Sequence, residues 1–525
     1  MTTLKDGRGQ EPEGAEGGAV TAVAPPRAYW RATLARSSGL IRRHWLFSTV
    51  LAVATLPRLL AMLGFQPAIL FRMDTFDYLW GALHPSPNLI NPSGYSVFLW
   101  LLRPFHSLVL VVLLQHLMGL GIGVMVYAVL RRYGLPVWGA TLAAVPVLFD
   151  PGQILLEQFI MADLLAMALM MAAFTILLLA ERASLWWLVT AGLLMGASAT
   201  VRPTTLPLIL LLPAYLLIRR AGWRRAGAVL AAGAVPVLAY MGWFDVAHGS
   251  FNMTNSNGLF LWSRTMSFAD CSVIKPGPAL QALCPQNQPG LLGAANPDRR
   301  PLPRSYLWTR GTWEWQNAPS QFATDSIPFT PANNSRAMKF AIKAITAQPF
   351  AYAGVVLKET AKPFAGVNPL RFPLGHGATV QYLSLDNLRY AYAAADGYSR
   401  SRGAVAQIAF HQYGTVTHAP YAYGMNVYQS VIFLPGPVLG ILLLVGLAGL
   451  LIPRRRSMAA LLLWLSAVVI IVLPTAEHEY AYRYDIPAVP LICMAAALAF
   501  RKPERAAQPA PEPTVRSAPA VSPQG

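Results

Sequence analysis

Along the chain, apolar residues gather into runs of about 15 to 25, separated by short polar and basic punctuation, and roughly 20 such residues span the hydrocarbon core of a bilayer. Backbone inside lipid must satisfy its own hydrogen bonds, so these runs predict membrane helices. The alternation of apolar and polar residues that a transmembrane barrel requires does not occur. Spans are predicted at about 45–63, 107–130, 136–149, 154–180, 185–200 and 204–218, with a seventh ending near Asp245. Three more follow at about 427–452, 457–474 and 485–500. The pattern predicts an all-α polytopic membrane protein of about ten helices.

The stretches between the spans divide the rest. Residues 64–106 read as a first external segment whose short apolar pieces, such as GYSVFLWLL, lie along the membrane surface as helices. The longest polar stretch, 246–425, reads as an external domain of mixed structure. The organisation is then a tail (1–43), a membrane domain (44–245), the external domain (246–425), three C-terminal membrane helices (426–500) and a second tail (501–525). Both tails are rich in Pro with Gly or Ala and are expected to be disordered. The first 30 residues lack the apolar core of a cleavable signal, so the first span is expected to act as an uncleaved one.

Composition supports this reading. A chain of 525 residues that is 55% hydrophobic and 12% charged has too little polar surface to cover a water-soluble globule. The net charge of +18 suggests nucleic acid at first sight, but its arginines fall where the positive-inside rule places them, at Arg42–Arg43, Arg131–Arg132, Arg219–Arg220, Arg224–Arg225 and Arg454–Arg456. Charge therefore reports topology, with both termini in the cytosol and no nucleic-acid partner. Three cysteines without a CxxC pair support neither a zinc site nor a redox motif. Cys271 and Cys284 lie on the oxidising side and form a disulfide candidate, whereas Cys493 reads as packing within the last span.

The polar residues that composition does not explain collect at the outer ends of the spans. On a helix, Asp74 in RMDTFDYLW shares a face with Asp77 and Tyr78. Paired carboxylates there can act as a general base or bind a cation; a helix cap at Asp74 is the plainer alternative. Glu157 and Asp163 flank the start of the fourth span, where an ionisable group costs roughly 2.5 to 3.5 kcal/mol and so faces a cavity. On an unbroken helix the two stand about 9 Å apart along the axis and on different faces. A packing hydrogen bond is the alternative role for Asp163. Arg58, Arg202 and Arg483 sit on the same side and are placed to converge on an anion, since guanidinium groups suit phosphate; for each, snorkelling to lipid headgroups is the alternative. Tyr78, Tyr484 and His84 complete the candidate substrate contacts, His84 as a proton-transfer group. Glu477-His478-Glu479 carries ligand-type residues at a spacing that matches no standard metal site.

Five stretches carry a family likeness: DTFDYL from Asp74, NPSGYSVFL from Asn91, EQFIMADLL from Glu157, VRPTTLPL from Val201 and RYDIPAVPL from Arg483. In this order the chain resembles the polyprenyl-phosphate-dependent glycosyltransferases of the glycosyltransferase C superfamily, notably the family-39 group with the protein O-mannosyltransferases and the lipid A aminoarabinose transferase. The likeness covers about residues 45–220 and 425–500. It implies transfer of a sugar from a polyprenyl-phosphate donor to a hydroxyl of a glycan, lipid or protein, at the external face of the cell membrane, in cell-envelope synthesis. It also implies that Asp74 is the acceptor's base with Asp77 beside it, that Asp163 and then Glu157 match the fourth-span acid, and that Arg202 with Arg483 or Arg58 holds the phosphate. Some relatives bind a divalent cation between the two acidic segments, which leaves a metal cofactor open. A transporter or flippase of lipid-linked sugar and a non-catalytic envelope assembly protein are the competing readings. A flippase predicts acids near the midplane and broken helices in paired positions.

Overall fold

A computed structural model of the protein describes residues 42–179, 184–288, 293, 300–308, 329–366, 372, 410 and 415–501. The expected disorder of the tails falls on 1–41 and 502–525, outside the described residues, as does much of 246–425. The chain is an all-α polytopic membrane protein. Five helices are long and apolar enough to cross a membrane: Trp45–Gly64 with a slight break, Leu108–Arg132, Ala162–Leu179, Trp223–His248 and Met458–Glu477. The number rises to seven if the two bent pairs, Val137–Phe149 with Pro151–Gln158 and Pro331–Ala347 with Pro349–Ala365, each count as one span. Four shorter apolar helices, Leu185–Val201, Pro203–Ile218, Gly436–Leu451 and Ile486–Leu498, occupy other positions where spans are expected.

Two places depart from the expected pattern. The fourth span is not one helix: it ends at Gln158 and restarts at Ala162, with Phe159 in extended conformation. Asp150 caps the first piece, its carboxylate accepting from the Gln153 amide at 3.2 Å with Pro151 at the first helical position. The second departure is in 246–425, expected to be mixed. Among its described residues the only strand is Val416–Thr417, which pairs antiparallel with Phe65–Gln66, and the remainder is helical or irregular. Its own core gathers Trp262, Leu283, Phe329 and Phe340 around the disulfide Cys271–Cys284, the pairing expected from sequence. The Pro349–Ala365 helix leaves this core and lies on the Gly436–Leu451 and Met458–Glu477 helices. Gly436 permits the approach, since a Cβ there would stand 2.3 Å from the Pro363 carbonyl oxygen.

The helix ends give the bundle a polarity. Leu108–Arg132 finishes at Arg131–Arg132 and Leu208–Ile218 runs into Arg219–Arg220, while Leu185–Val201 ends at Arg202 and Met458–Glu477 leads to Arg483. Two cores fill the membrane part. The larger packs the long helices, and the smaller, around Phe65, Tyr78, Tyr95, Phe159 and Met161, lies under the end that carries Asp74 and Asp163.

Candidate active site

Local sequence places four charged side chains at this end. Asp74 and Asp163 each fall in the first turn of a helix, Arg72–Leu83 and Ala162–Leu179, where the positive end of the helix dipole favours a carboxylate. Arg202 precedes Pro203, and the proline ring pushes its neighbour out of the helical region; Arg202 is extended, at φ −142° and ψ 116°, and ends its helix. Arg483 lies in the turn before the last helix, which Pro487 opens.

These four and one tyrosine form a chain of contacts. Arg483 Nη2 donates to Asp74 Oδ2 at 2.9 Å. Arg202 Nη2 stands 2.6 Å from Asp163 Oδ1. The Asp163 contact is close but out of hydrogen-bond alignment, so both carboxylate oxygens lack an aligned donor although they are buried. Tyr484 lies between the arginines, its ring centre 5.2 Å from the Arg202 guanidinium and 5.4 Å from that of Arg483, and Phe71 takes the Arg483 guanidinium over its ring at 4.7 Å. Burial, the largest single influence, would lower the pKa of Arg202, yet Asp163 together with Tyr484 and Tyr78 outweighs it and the pKa is raised. Arg483 is raised in the same sense, against its burial, by Tyr484 and Asp74. Both guanidinium groups are firmly cationic.

Exposure separates the two acids. Asp74 keeps 29% of its side chain accessible and Asp163 only 1%. A molecule arriving from water reaches Asp74 first. Beside Asp163 and Arg202, a cavity of about 20 Å³ is lined by Met170, Ile470 and Pro474, which is room for a water and no more.

Of the residues expected from sequence, Asp74, Asp163, Arg202, Arg483 and Tyr484 are brought together, and Tyr78 lies beneath them. Its phenol is pushed far up, first by burial and then by Asp74. Asp77 is buried on the same helix. Three candidates fall elsewhere. Arg58 does not snorkel and does not join the other arginines; its Nη2 donates to Glu157 Oε1 at 2.8 Å, buried on both sides. Glu157 is committed there, with His116 Nδ1 at 2.8 Å and Gln153 Nε2 at 3.0 Å, and is not part of the acidic pair. His84 caps the far end of the Asp74 helix against Trp80, about 15 Å along the axis from Asp74, out of reach for proton transfer there.

Sequence reading missed Thr75, Tyr95, Gln115 and His116, all buried. Gln115-His116 interrupts an apolar run, a signal that polar groups inside a span normally carry. In Glu477-His478-Glu479, Glu477 stays within electrostatic reach of Arg202, whereas the next two residues are engaged elsewhere. His478 Nδ1 meets Ser263 Oγ at 2.9 Å, its carbonyl accepts from Arg264 at 2.7 Å, and Glu479 pairs with Arg304 at 3.2 Å. Among the described residues, no group of three or more His, Cys, Asp or Glu could hold a metal ion. Asp74 and Asp163 each face a guanidinium, so this donor set does not fit a cation cage.

In fold the chain is similar to the Archaeoglobus fulgidus oligosaccharyltransferase tethered with an acceptor peptide, at TM-score 0.40 and 14% identity over 87% of this chain and 50% of that one. It is also similar to ArnT from Cupriavidus metallidurans bound to undecaprenyl phosphate, at TM-score 0.33 and 13% identity over 87% of this chain and 77% of that one. The chain thus spans half the length of the archaeal enzyme. No family model and no curated protein matches it. The functional reading rests on the site and not on alignments this loose.

Proposed function

We propose that the protein is an integral membrane glycosyltransferase of the glycosyltransferase C type, moving a sugar from a polyprenyl-phosphate donor to a hydroxyl acceptor at the external face. The observation that carries the reading is the arrangement of Arg202 and Arg483 about Tyr484, each facing one carboxylate, at the end of the bundle away from the arginine pairs. Two guanidinium groups beside apolar helix ends suit a phosphate whose lipid tail stays in the membrane.

In this reading the donor phosphate is held between Arg202 and Arg483. The accessible Asp74 takes the proton of the acceptor hydroxyl as its oxygen attacks the anomeric carbon. The bond from that carbon to the phosphate oxygen breaks, and the polyprenyl phosphate leaves with the electron pair, its charge met by the two arginines. Direct displacement inverts the anomeric centre. Asp163, buried beneath the accessible end, anchors Arg202 by charge. The arginines do the work that a divalent cation does in other designs, so chelation with EDTA should leave transfer intact.

The test is transfer of radiolabelled sugar from polyprenyl phosphate by the purified protein in detergent or nanodiscs. Release of labelled product, lost in Asp74→Asn, supports the reading. Movement of labelled lipid across a bilayer without sugar release would replace it by a flippase, and neither activity with any donor would leave an assembly protein.

A further inference from the structure

The interruption at Phe159-Ile160-Met161 leaves backbone groups without helical partners inside the protein, and each must be met elsewhere. Gln115 Nε2, from the Leu108–Arg132 helix, donates to the carbonyls of Glu157 and Phe159, at 2.8 Å to each. Ile69 brackets the segment, its amide donating to the Gln158 carbonyl at 3.0 Å and its carbonyl accepting from the Ile160 amide at 3.2 Å. Thr75 Oγ1 donates to the Ile160 carbonyl at 3.0 Å and accepts from the Phe71 amide at 2.7 Å.

Thr75 is the neighbour of Asp74, and Asp163 comes two residues after Met161. Arg483 reaches the same segment, with Nη1 3.7 Å from Met161 Sδ. Tyr95 holds Gln115 from the other side, donating to its Oε1 at 2.7 Å, and packs edge-on against Tyr78 at 5.1 Å between ring centres. The interruption thus joins the helix bearing one carboxylate to the helix bearing the other.

We propose that the broken helix sets the spacing between Asp74 and Asp163, with Thr75 and Gln115 as positioning residues that touch neither donor nor acceptor. The catalytic consequence rests on the transferase reading; the architectural part does not. A ladder of backbone bonds cannot be shared between a helix end and a side chain without fixing both, and neither Thr75 nor Gln115 has another role that its contacts suggest. Loss of either bond lets the first turn of Ala162–Leu179 shift against Arg72–Leu83, and a misplacement of about 1 Å can cost about a hundredfold in rate.

The test uses the full chain with Thr75→Val, Gln115→Leu and the conservative Thr75→Ser, read in two ways. In transfer assays, Thr75→Val and Gln115→Leu should lower kcat about tenfold to a hundredfold with donor KM within about threefold, and Thr75→Ser should restore kcat to within about threefold of the parent. In amide exchange, both disruptive variants should speed exchange at 159–163 while the Met458–Glu477 helix keeps its protection. Unchanged kcat and unchanged exchange at 159–163 overturn the proposal. Faster exchange with unchanged kcat overturns its catalytic part. If the parent transfers no sugar at all, the transferase reading fails by itself, and the exchange result still decides whether Thr75 and Gln115 hold the break.

Discussion

Arg202 approaches Asp163 to 2.6 Å without hydrogen-bond alignment, so this buried pair is held by charge. A lysine at 202 keeps the charge but loses the planar fork and the stacking on Tyr484. Arg202→Lys should therefore lower kcat/KM by about tenfold to a hundredfold, corresponding to roughly 1.4 to 2.8 kcal/mol, with the larger part in donor KM. Initial rates over a range of donor concentration check this.

In the proposed mechanism, Asp74→Asn removes the proton acceptor yet keeps the shape and a partner for Arg483. General-base catalysis contributes about 10² to 10⁴, and kcat should fall by that order while the melting temperature hardly moves. Asp77→Asn, on the same helix but buried where Asp74 is partly accessible, should retain most of the rate. Equal losses in both variants would transfer the role to the helix as a whole.

Glu157 sits fully buried with Arg58 and His116, and taking away one partner strands a charge in the membrane part. Glu157→Gln should cost about 3 to 5 kcal/mol of stability, seen as a lower melting temperature in detergent, with the rate per folded molecule little changed. Gly119→Ala should act through the same group, because its Cβ would fall 1.8 Å from Glu157 Oε1.

His478 is held neutral by burial, by Arg264 and by Arg304, which depress its pKa to about 3. The unfolded chain binds a proton at about pH 6.5 that the folded chain refuses, so the stability it contributes is present above that pH and is lost as pH falls toward 3. Glu479 runs the other way. Burial raises its pKa above that of a free carboxyl, so it favours the fold at acid pH and weakens it as pH rises through the raised value. Melting curves of the parent and of His478→Gln between pH 4 and 7 separate the two, since only the parent should lose stability through the histidine window.

Reduction of Cys271–Cys284 opens a loop closed over a separation of 13 residues, and closures of this length are worth about 3 kcal/mol. Reductant, or Cys284→Ser, should make the helical core around Trp262 and Phe340 easier to cleave in limited proteolysis and leave the membrane helices protected.

Hydropathy made the helices legible, because a backbone in lipid has few choices, and charge at the helix ends made Asp74, Asp163, Arg202 and Arg483 candidates within a wider set that also held Arg58, Asp77, Glu157 and His84. The interruption at 159–161 was not legible. No proline or glycine marks Phe159-Ile160-Met161, and the break is imposed from outside by Ile69, Thr75 and Gln115, whose meeting depends on tertiary packing. Arg58 illustrates the same limit. An arginine near the end of an apolar run reads as snorkelling or as an anion contact, and only the fold reveals that Glu157, 99 positions away, has claimed it.

Arg483 and Asp74 are 409 positions apart in the chain, whereas Arg202 follows Asp163 by 39. At roughly 5 to 20 residues per second, a ribosome completes the second pair within seconds but makes Asp74 wait about 20 to 80 s for its guanidinium. During that interval the first acid waits without this guanidinium, and the inserted helices must keep their order without the contact that later ties their ends. Arg483 is therefore the last of the four charged side chains to be made, and a product that stalls before it lacks one half of the Arg483–Asp74 pair.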